Sequence, residues 1–261
     1  MAGESPQALG RVLSHRDAGC FDHDFRLESK FMCGRYRLSR RKEILAEHFG
    51  ADLDDVDWEP RYNIAPTQTA PVVRSSGGDV PKVSMMRWGI VPSWAVDPAI
   101  GARTINARAE TVASKPSFGV PFRTQRCLVP ADAFYEWRRR AKQKQPFCFE
   151  VKDGATFAFA GLWDRWHGPD HHLIESFTIL TTTPNKLMAD VHERMPVILA
   201  PESYQCWLDS RMRDESRLAA LLRPYDSTAM RRYPVGPYVN YVTNDSPECS
   251  MPFEYPALFD F

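Results

Sequence analysis

Apolar and polar positions change period several times along this chain, and the changes divide it into short elements. Ile44, Leu45, His48 and Phe49 recur at helical spacing after Ser39, a residue suited to capping a helix, and Gly50 supplies the stop. Pro60 to Thr67 is flanked by prolines that bias it towards extended or turn conformation, and it leads into a predicted strand from Thr69 to Arg74. Gly77-Gly78-Asp79 reads as a hairpin turn into a return strand over about residues 80–91, ending at Pro92-Ser93-Trp94. Between Pro146 and Val151, Phe147, Phe149 and Val151 alternate with Cys148 and Glu150, and Asp153-Gly154 predicts a hairpin into residues 156–161. Phe177 to Thr182 predicts another strand. Thr183-Pro184 then starts a short helix to about His192, and Met195 to Leu199 reads as extended. Two amphipathic helices follow, over 202–209 and 215–222, the second closed by Pro224. The tail from Pro234, with Tyr238, Tyr241 and Phe253 among prolines, reads as a strand followed by irregular chain. The pattern predicts an α+β fold, dominated by antiparallel strands with helices packed outside.

Composition changes this picture little. At 261 residues, 43% hydrophobic and 25% charged, the chain is long enough to bury a proper core in one domain. Residues 1–31 stand apart. They mix charges with few apolar side chains and show no steady period, so they read as a disordered or mis-assigned extension before a domain over 32–261. They hold no apolar run for a signal peptide, and no later apolar run approaches the roughly 18 residues that span a bilayer. A cytoplasmic protein with no membrane contact, and a monomer, is expected. The formal net charge is zero, which excludes the basic excess of an indiscriminate nucleic-acid binder. Any such binding must come from local clusters. Cysteines at 20, 33, 127, 148, 206 and 249 form no CxxC pair and no His/Cys group at zinc spacing, so reduced thiols and no metal are expected. No nucleotide-binding loop is present either, and no cofactor is expected.

The chemistry concentrates at Met32-Cys33-Gly34-Arg35-Tyr36. If Met32 starts the chain, its removal before so small a residue leaves Cys33 with both a free α-amine and a thiol. Such a 1,2-aminothiol condenses with an aldehyde to an imine, and the thiol closes on the imine carbon to give a thiazolidine. The other reading is an internal, buried cysteine beside a glycine turn. Thr104 to Thr111 places Asn106, Arg108 and Glu110 at two-residue spacing, one face of a strand or else a solvated edge. Glu136 lies within Phe134-Tyr135-Glu136-Trp137, where desolvation could tune it for proton transfer or where it is simply a surface carboxylate. His192, in Val191-His192-Glu193-Arg194, is a candidate catalyst or a structural residue, without the second histidine of HExxH. Arginines and lysines cluster at 35–42, 103–108 and 138–144. Trp88, Trp94, Tyr135 and Trp137 offer faces for unstacked bases, and the charge runs are otherwise solvated.

Six ordered blocks carry more than any one of these features. They are Met-Cys-Gly-Arg at 32–35, Arg-Tyr-Asn-Ile-Ala-Pro at 61–66 and Arg-Trp-Gly-Ile-Val-Pro-Ser-Trp at 87–94. Ile-Asn-Ala-Arg-Ala-Glu-Thr at 105–111, Arg-Cys-Leu-Val-Pro-Ala-Asp-Ala-Phe-Tyr-Glu-Trp at 126–137 and His-Glu-Arg-Met-Pro-Val at 192–197 complete the set. Together they resemble the SOS-response-associated peptidase family of abasic-site processing proteins, over about residues 32–245. The resemblance implies one domain around a strongly bent, barrel-like antiparallel core with peripheral helices, and a groove for single-stranded DNA. It implies a sensor of abasic sites that crosslinks its N-terminal cysteine to the ring-opened sugar and shields the lesion during the DNA damage response. By the same resemblance Cys33 is the nucleophile, Asn106 holds its backbone, Glu136 and His192 serve the reaction, and Arg35 and Arg108 contact phosphate, with Trp88 and Trp94 also on the DNA. Replication-fork proteins are expected partners, and a nucleoid association when bound to DNA. A thiol peptidase acting through Cys33, which could remove its own leading segment, and a non-catalytic DNA-binding module are the alternatives.

Overall fold

The computed structural model describes residues 34–53, 56–78, 80–140 and 143–254, so the extension and Cys33 lie outside the described residues. In chain order the elements are β1 (Arg35–Leu38), α1 (Lys42–Phe49), β2 (Asp52–Leu53), β3 (Arg61–Ile64), β4 (Thr69–Arg74), β5 (Lys82–Trp88) and β6 (Asn106–Arg108). Then come α2 (Gly119–Thr124), β7 (Arg126–Ala131), β8 (Ala133–Arg140), β9 (Gln143–Val151), β10 (Phe157–His167) and β11 (Leu173–Thr182). The chain continues through β12 (Met195–Pro196), β13 (Ile198–Leu199), α3 (Tyr204–Leu208), α4 (Glu215–Ala220) and β14 (Met230–Pro234).

A closed barrel of five strands forms the centre. Strands β11, β10, β7, β4 and β5 pair antiparallel in that order, and β5 returns to β11 in parallel through Ser176↔Arg87 and Phe177↔Trp88. The expected bent, barrel-like α+β architecture is therefore what the chain adopts. Closure demands close strand approach: a Cβ on Gly161 of β10 would lie 2.8 Å from both the Cys127 sulfur and a Val129 methyl. A second sheet, ordered β14-β9-β8-β1-β3, packs on the barrel. Tyr36 of β1 meets Trp88 and Phe159 of the barrel edge to face at 5.2 and 5.9 Å, and Phe134 of β8 meets Phe159 at 5.9 Å. All four rings are fully buried, so aromatic burial is the main attraction between the sheets.

Several local expectations fail for physical reasons. The Asp153-Gly154 turn does form, with φ of 71° and 63°, yet β9 and β10 are not a hairpin. β9 already has β8 on one edge and β14 on the other, whereas β10, apolar on both faces over Phe157 to Leu162, needs the barrel. The turn hands the chain from one sheet to the other, as Asp132 does between β7 and β8. Ser39 does not cap α1, because its N–H and hydroxyl both donate to Asp132 at 2.7 Å; Gly50 ends the helix as expected, with φ 56°. Residues 184–192 make a run of turns rather than a proline-started helix, and Asn185 supplies the cap by accepting from the N–H groups of Leu187 and Met188.

Candidate functional site

Strand β1 brings the residue after Cys33 to the buried end of β8. Its antiparallel register pairs Arg35 with Tyr135, Tyr36 with Phe134 and Arg37 with Ala133. Continuing that register by one residue sets Gly34 beside Glu136. Glu136, also paired to Phe147 of β9, is only 4% exposed. The phenylalanines at 134, 147 and 149 share the core side of this sheet with it, since alternate residues of a strand face the same way.

Two ion-pair groups bind the remaining candidates to this end of the sheet. Asp190 accepts from Arg232 of β14 and lies 3.7 Å from Arg138, two residues beyond Glu136, which ties the turn carrying His192 to β8. Arg194 grips Glu110 with both terminal guanidinium nitrogens, at 2.6 and 2.8 Å, and also donates to the Thr181 carbonyl. That fork holds the Glu110 carboxyl below its ordinary pKa and fastens the His192 turn to the chain just past β6. Strand β6 runs parallel to β11, with Asn106 opposite Ile179 and Arg108 opposite Thr181. Asn106 and Arg108 do share one face of the strand, and Glu110 sits beyond its end in the following turn. Arg108 is exposed and, among the described residues, makes no salt bridge.

What aims β6 is a contact between two loops. Gly89 has φ 118°, and a Cβ there would lie 2.3 Å from the Gly101 carbonyl oxygen. The Thr104 hydroxyl donates to Ile90 O at 2.6 Å across the same contact, and Trp88 Nε1 donates to Ile105 O at 2.8 Å. Trp88 thus corrects an expectation. It is fully buried, stacked on Phe177 at 6.3 Å, and presents no face to a base; it joins the two sheets and fixes the residue before Asn106. Trp88→Ala should lower unfolding free energy by about 3–5 kcal/mol in denaturant titration, whereas a solvent-facing tryptophan would leave stability nearly unchanged. Tyr135 is likewise buried, its hydroxyl donating to Tyr62 O. Trp94, at 57% exposed, does present a ring to solvent, with Nε1 towards Pro116 O.

The arginine cluster near the start also serves structure first. Arg37 binds the buried Asp132 and Glu150, Arg40 donates to Gly154 O, and Lys42 to Val56 O. Arg35, expected at phosphate, has its guanidinium engaged by Asn63, Val239 O and Asn240 O and lies 5.9 Å from the Trp137 ring centre. His192 accepts the Arg194 N–H at Nδ1, 3.1 Å away, and burial lowers its pKa. The neutral ring therefore carries its proton on Nε2 and can offer it as a donor. Sequence reasoning missed Asn63, Asp190, Arg194 and Asp245. Each lay in view, but its partners are distant in the chain and left no local signal.

A closed barrel carrying a second sheet, with a buried carboxylate beside the start of the first strand and a histidine turn tied to the strand that holds it, defines a specific class of α+β domain. The SOS response associated peptidase (SRAP) family profile matches residues 32–242, and the chain belongs to that family. It is 43% identical over 220 residues to the abasic site processing protein YoqW of Bacillus subtilis, an alignment covering 83% of this chain and 98% of that one. It is 33% identical over 228 residues to the abasic site processing protein HMCES of Gallus gallus, covering 76% and 67% of the two chains. A crystal structure of a protein from Bacteroides thetaiotaomicron superposes with TM-score 0.78 at 29% identity, covering 85% of this chain and all of that one.

Proposed function

We propose that this protein processes abasic sites in single-stranded DNA by forming a covalent thiazolidine crosslink through Cys33 as its amino-terminal residue. The observation that carries the reading is the β1–β8 register, in which Arg35, two residues after Cys33, pairs with Tyr135, the neighbour of the buried Glu136. The family match beginning at residue 32 and the names of the relatives support it; the reading requires that residues 1–31 are lost or never made and that Met32 is removed.

The chemistry balances without an external oxidant or reductant. The ring-opened abasic sugar presents an aldehyde. The Cys33 amine adds to it, one water leaves as the imine forms, and the thiol then adds across C=N, making a C–S bond as its proton passes to nitrogen. Glu136 moves protons in ring opening and in loss of water. His192, with Nδ1 occupied, donates from Nε2 to the sugar oxygen. Asn106 holds the cysteine backbone, Arg108 meets a flanking phosphate, and Trp94 offers a stacking face. The thiol-peptidase reading is weaker on the same geometry, because a base must accept the thiol proton and the neutral His192 has no nitrogen open to receive it.

The pH dependence follows. An α-amine has a pKa of about 8, so the crosslinking rate should rise between pH 6 and about 8 as free amine accumulates. Burial holds the His192 pKa below the ordinary imidazole value, which favours its neutral form over this range. Protonation would set an N–H against the Arg194 N–H. The unfolded chain binds that proton more readily, so stability should fall as pH drops below the unperturbed value of about 6.5. Single-turnover adduct formation on an abasic oligonucleotide, followed by denaturing electrophoresis across this range, tests the proposal. No heat-stable adduct at any pH from a chain beginning at Cys33 would reject it.

A further inference from the structure

Strand β3 is the edge of its sheet, and it is covered by an irregular segment, Val239 to Asp245, instead of by another strand. The Asp245 carboxylate accepts from the backbone N–H groups of Tyr62 at 2.5 Å and Asn63 at 2.9 Å, and pairs with the Arg61 side chain. Under it sits Asn63, with no exposed surface. Its Nδ2 donates to the carbonyls of Val239, Tyr241 and Asn244 at 3.2, 3.0 and 2.8 Å, while its Oδ1 accepts from Arg35 Nη1 at 2.9 Å. Arg35 in turn donates to Val239 O at 2.8 Å and Asn240 O at 3.2 Å, and Trp137 Nε1 closes the ring by donating to Asn240 Oδ1 at 2.7 Å.

We propose that Asn63 is a positioning residue for the crosslinking centre: it clamps the Val239–Asp245 segment beneath Arg35 and so fixes the start of the strand that follows Cys33. The inference rests on the crosslinking reading above. A buried amide saturated on both ends leaves its neighbours no alternative arrangement. Here one end is the loop and the other is the side chain two residues from Cys33. Three carbonyl oxygens converge on Asn63, and two of the segment's carbonyls also hold the guanidinium, so releasing the loop frees Arg35. A short lever from Arg35 to the reacting amine then loses its fixed point. Burying a polar side chain to make these bonds gains little stability over an apolar core, whereas orientation of a nucleophile is worth orders of magnitude in rate.

The test compares the protein beginning at Cys33 with Asn63→Asp, which keeps the acceptor for Arg35 but sets a carboxylate against three carbonyls, and Asp245→Asn, at a partly exposed site that should fold in any case. Three quantities are read: the crosslinking rate at saturating abasic strand, the affinity for a strand carrying a tetrahydrofuran analogue that has no aldehyde, and hydrogen exchange over residues 34–38. We expect both variants to crosslink about ten- to a hundredfold more slowly, the aspartate variant more so, with exchange over 34–38 accelerated. Affinity for the analogue should stay within about twofold, since phosphate contacts dominate it. Parent-like rates at saturation in the variants that fold, or unchanged exchange over 34–38, would overturn the proposal. If the parent itself forms no adduct, the crosslinking reading fails, and the exchange measurement alone decides whether the clamp positions this strand.

Discussion

A chain that begins at Cys33 and has its α-amine acetylated forms no heat-stable adduct with an abasic strand. In the proposed mechanism the amine makes the bond to the aldehyde carbon, so blocking it should remove the first step and not merely its rate. Cys33→Ser separates the two steps. It retains the amine, forms an imine that borohydride traps, and gives no adduct that survives heating unreduced, because a hydroxyl does not close the stable sulfur ring. Cys33→Ala behaves in the same way. Intact mass before and after incubation reads all three, and it also shows whether residues 1–31 are present. A heat-stable adduct on a blocked amine would disprove the mechanism.

Glu136→Gln is expected to slow crosslinking by about 10²–10⁴-fold at saturating DNA, the usual worth of a positioned acid or base. The amide is isosteric and can still hydrogen-bond, so the fold and the affinity for the strand should change little. The position explains the size of the effect. At 4% exposure, with Phe147 paired to it across the strand, Glu136 has little bulk water at hand to take over its protons. A rate equal to the parent's would return Glu136 to the role of a buried structural carboxylate. A modest loss, rescued by raising pH, would assign the slow step to amine deprotonation instead.

The Arg194–Glu110 pair and the Asp190 contacts matter to both results. They join the His192 turn, β6 and β8, three pieces of chain far apart in sequence, at one edge of the structure. Their effect is to hold Asn106, Glu136 and His192 on elements that cannot drift independently.

The sequence alone determined the elements whose cause is local. The strand from Thr69 to Arg74 has its predicted bounds, and the helices near Tyr204–Leu208 and Glu215–Ala220 fall inside their predicted spans. Gly50 ends α1 because only a left-handed residue can close that turn. The ordered motifs likewise revealed the family. Tertiary structure decided everything that depends on which surfaces meet. Asp153-Gly154 has the dihedral angles of a hairpin, but strand pairing is settled by free edges, and β9 had none to give. Trp88 reads in the sequence like a base-stacking ring, and only the packing of Tyr36 and Phe177 against it makes it core. Arg35 reads as a free cation until the carbonyls of Val239 and Asn240, some two hundred residues away, are brought beneath it. Local propensity carries no information about contacts at that separation, because their free energy appears only once the barrel has closed and the intervening chain has been ordered.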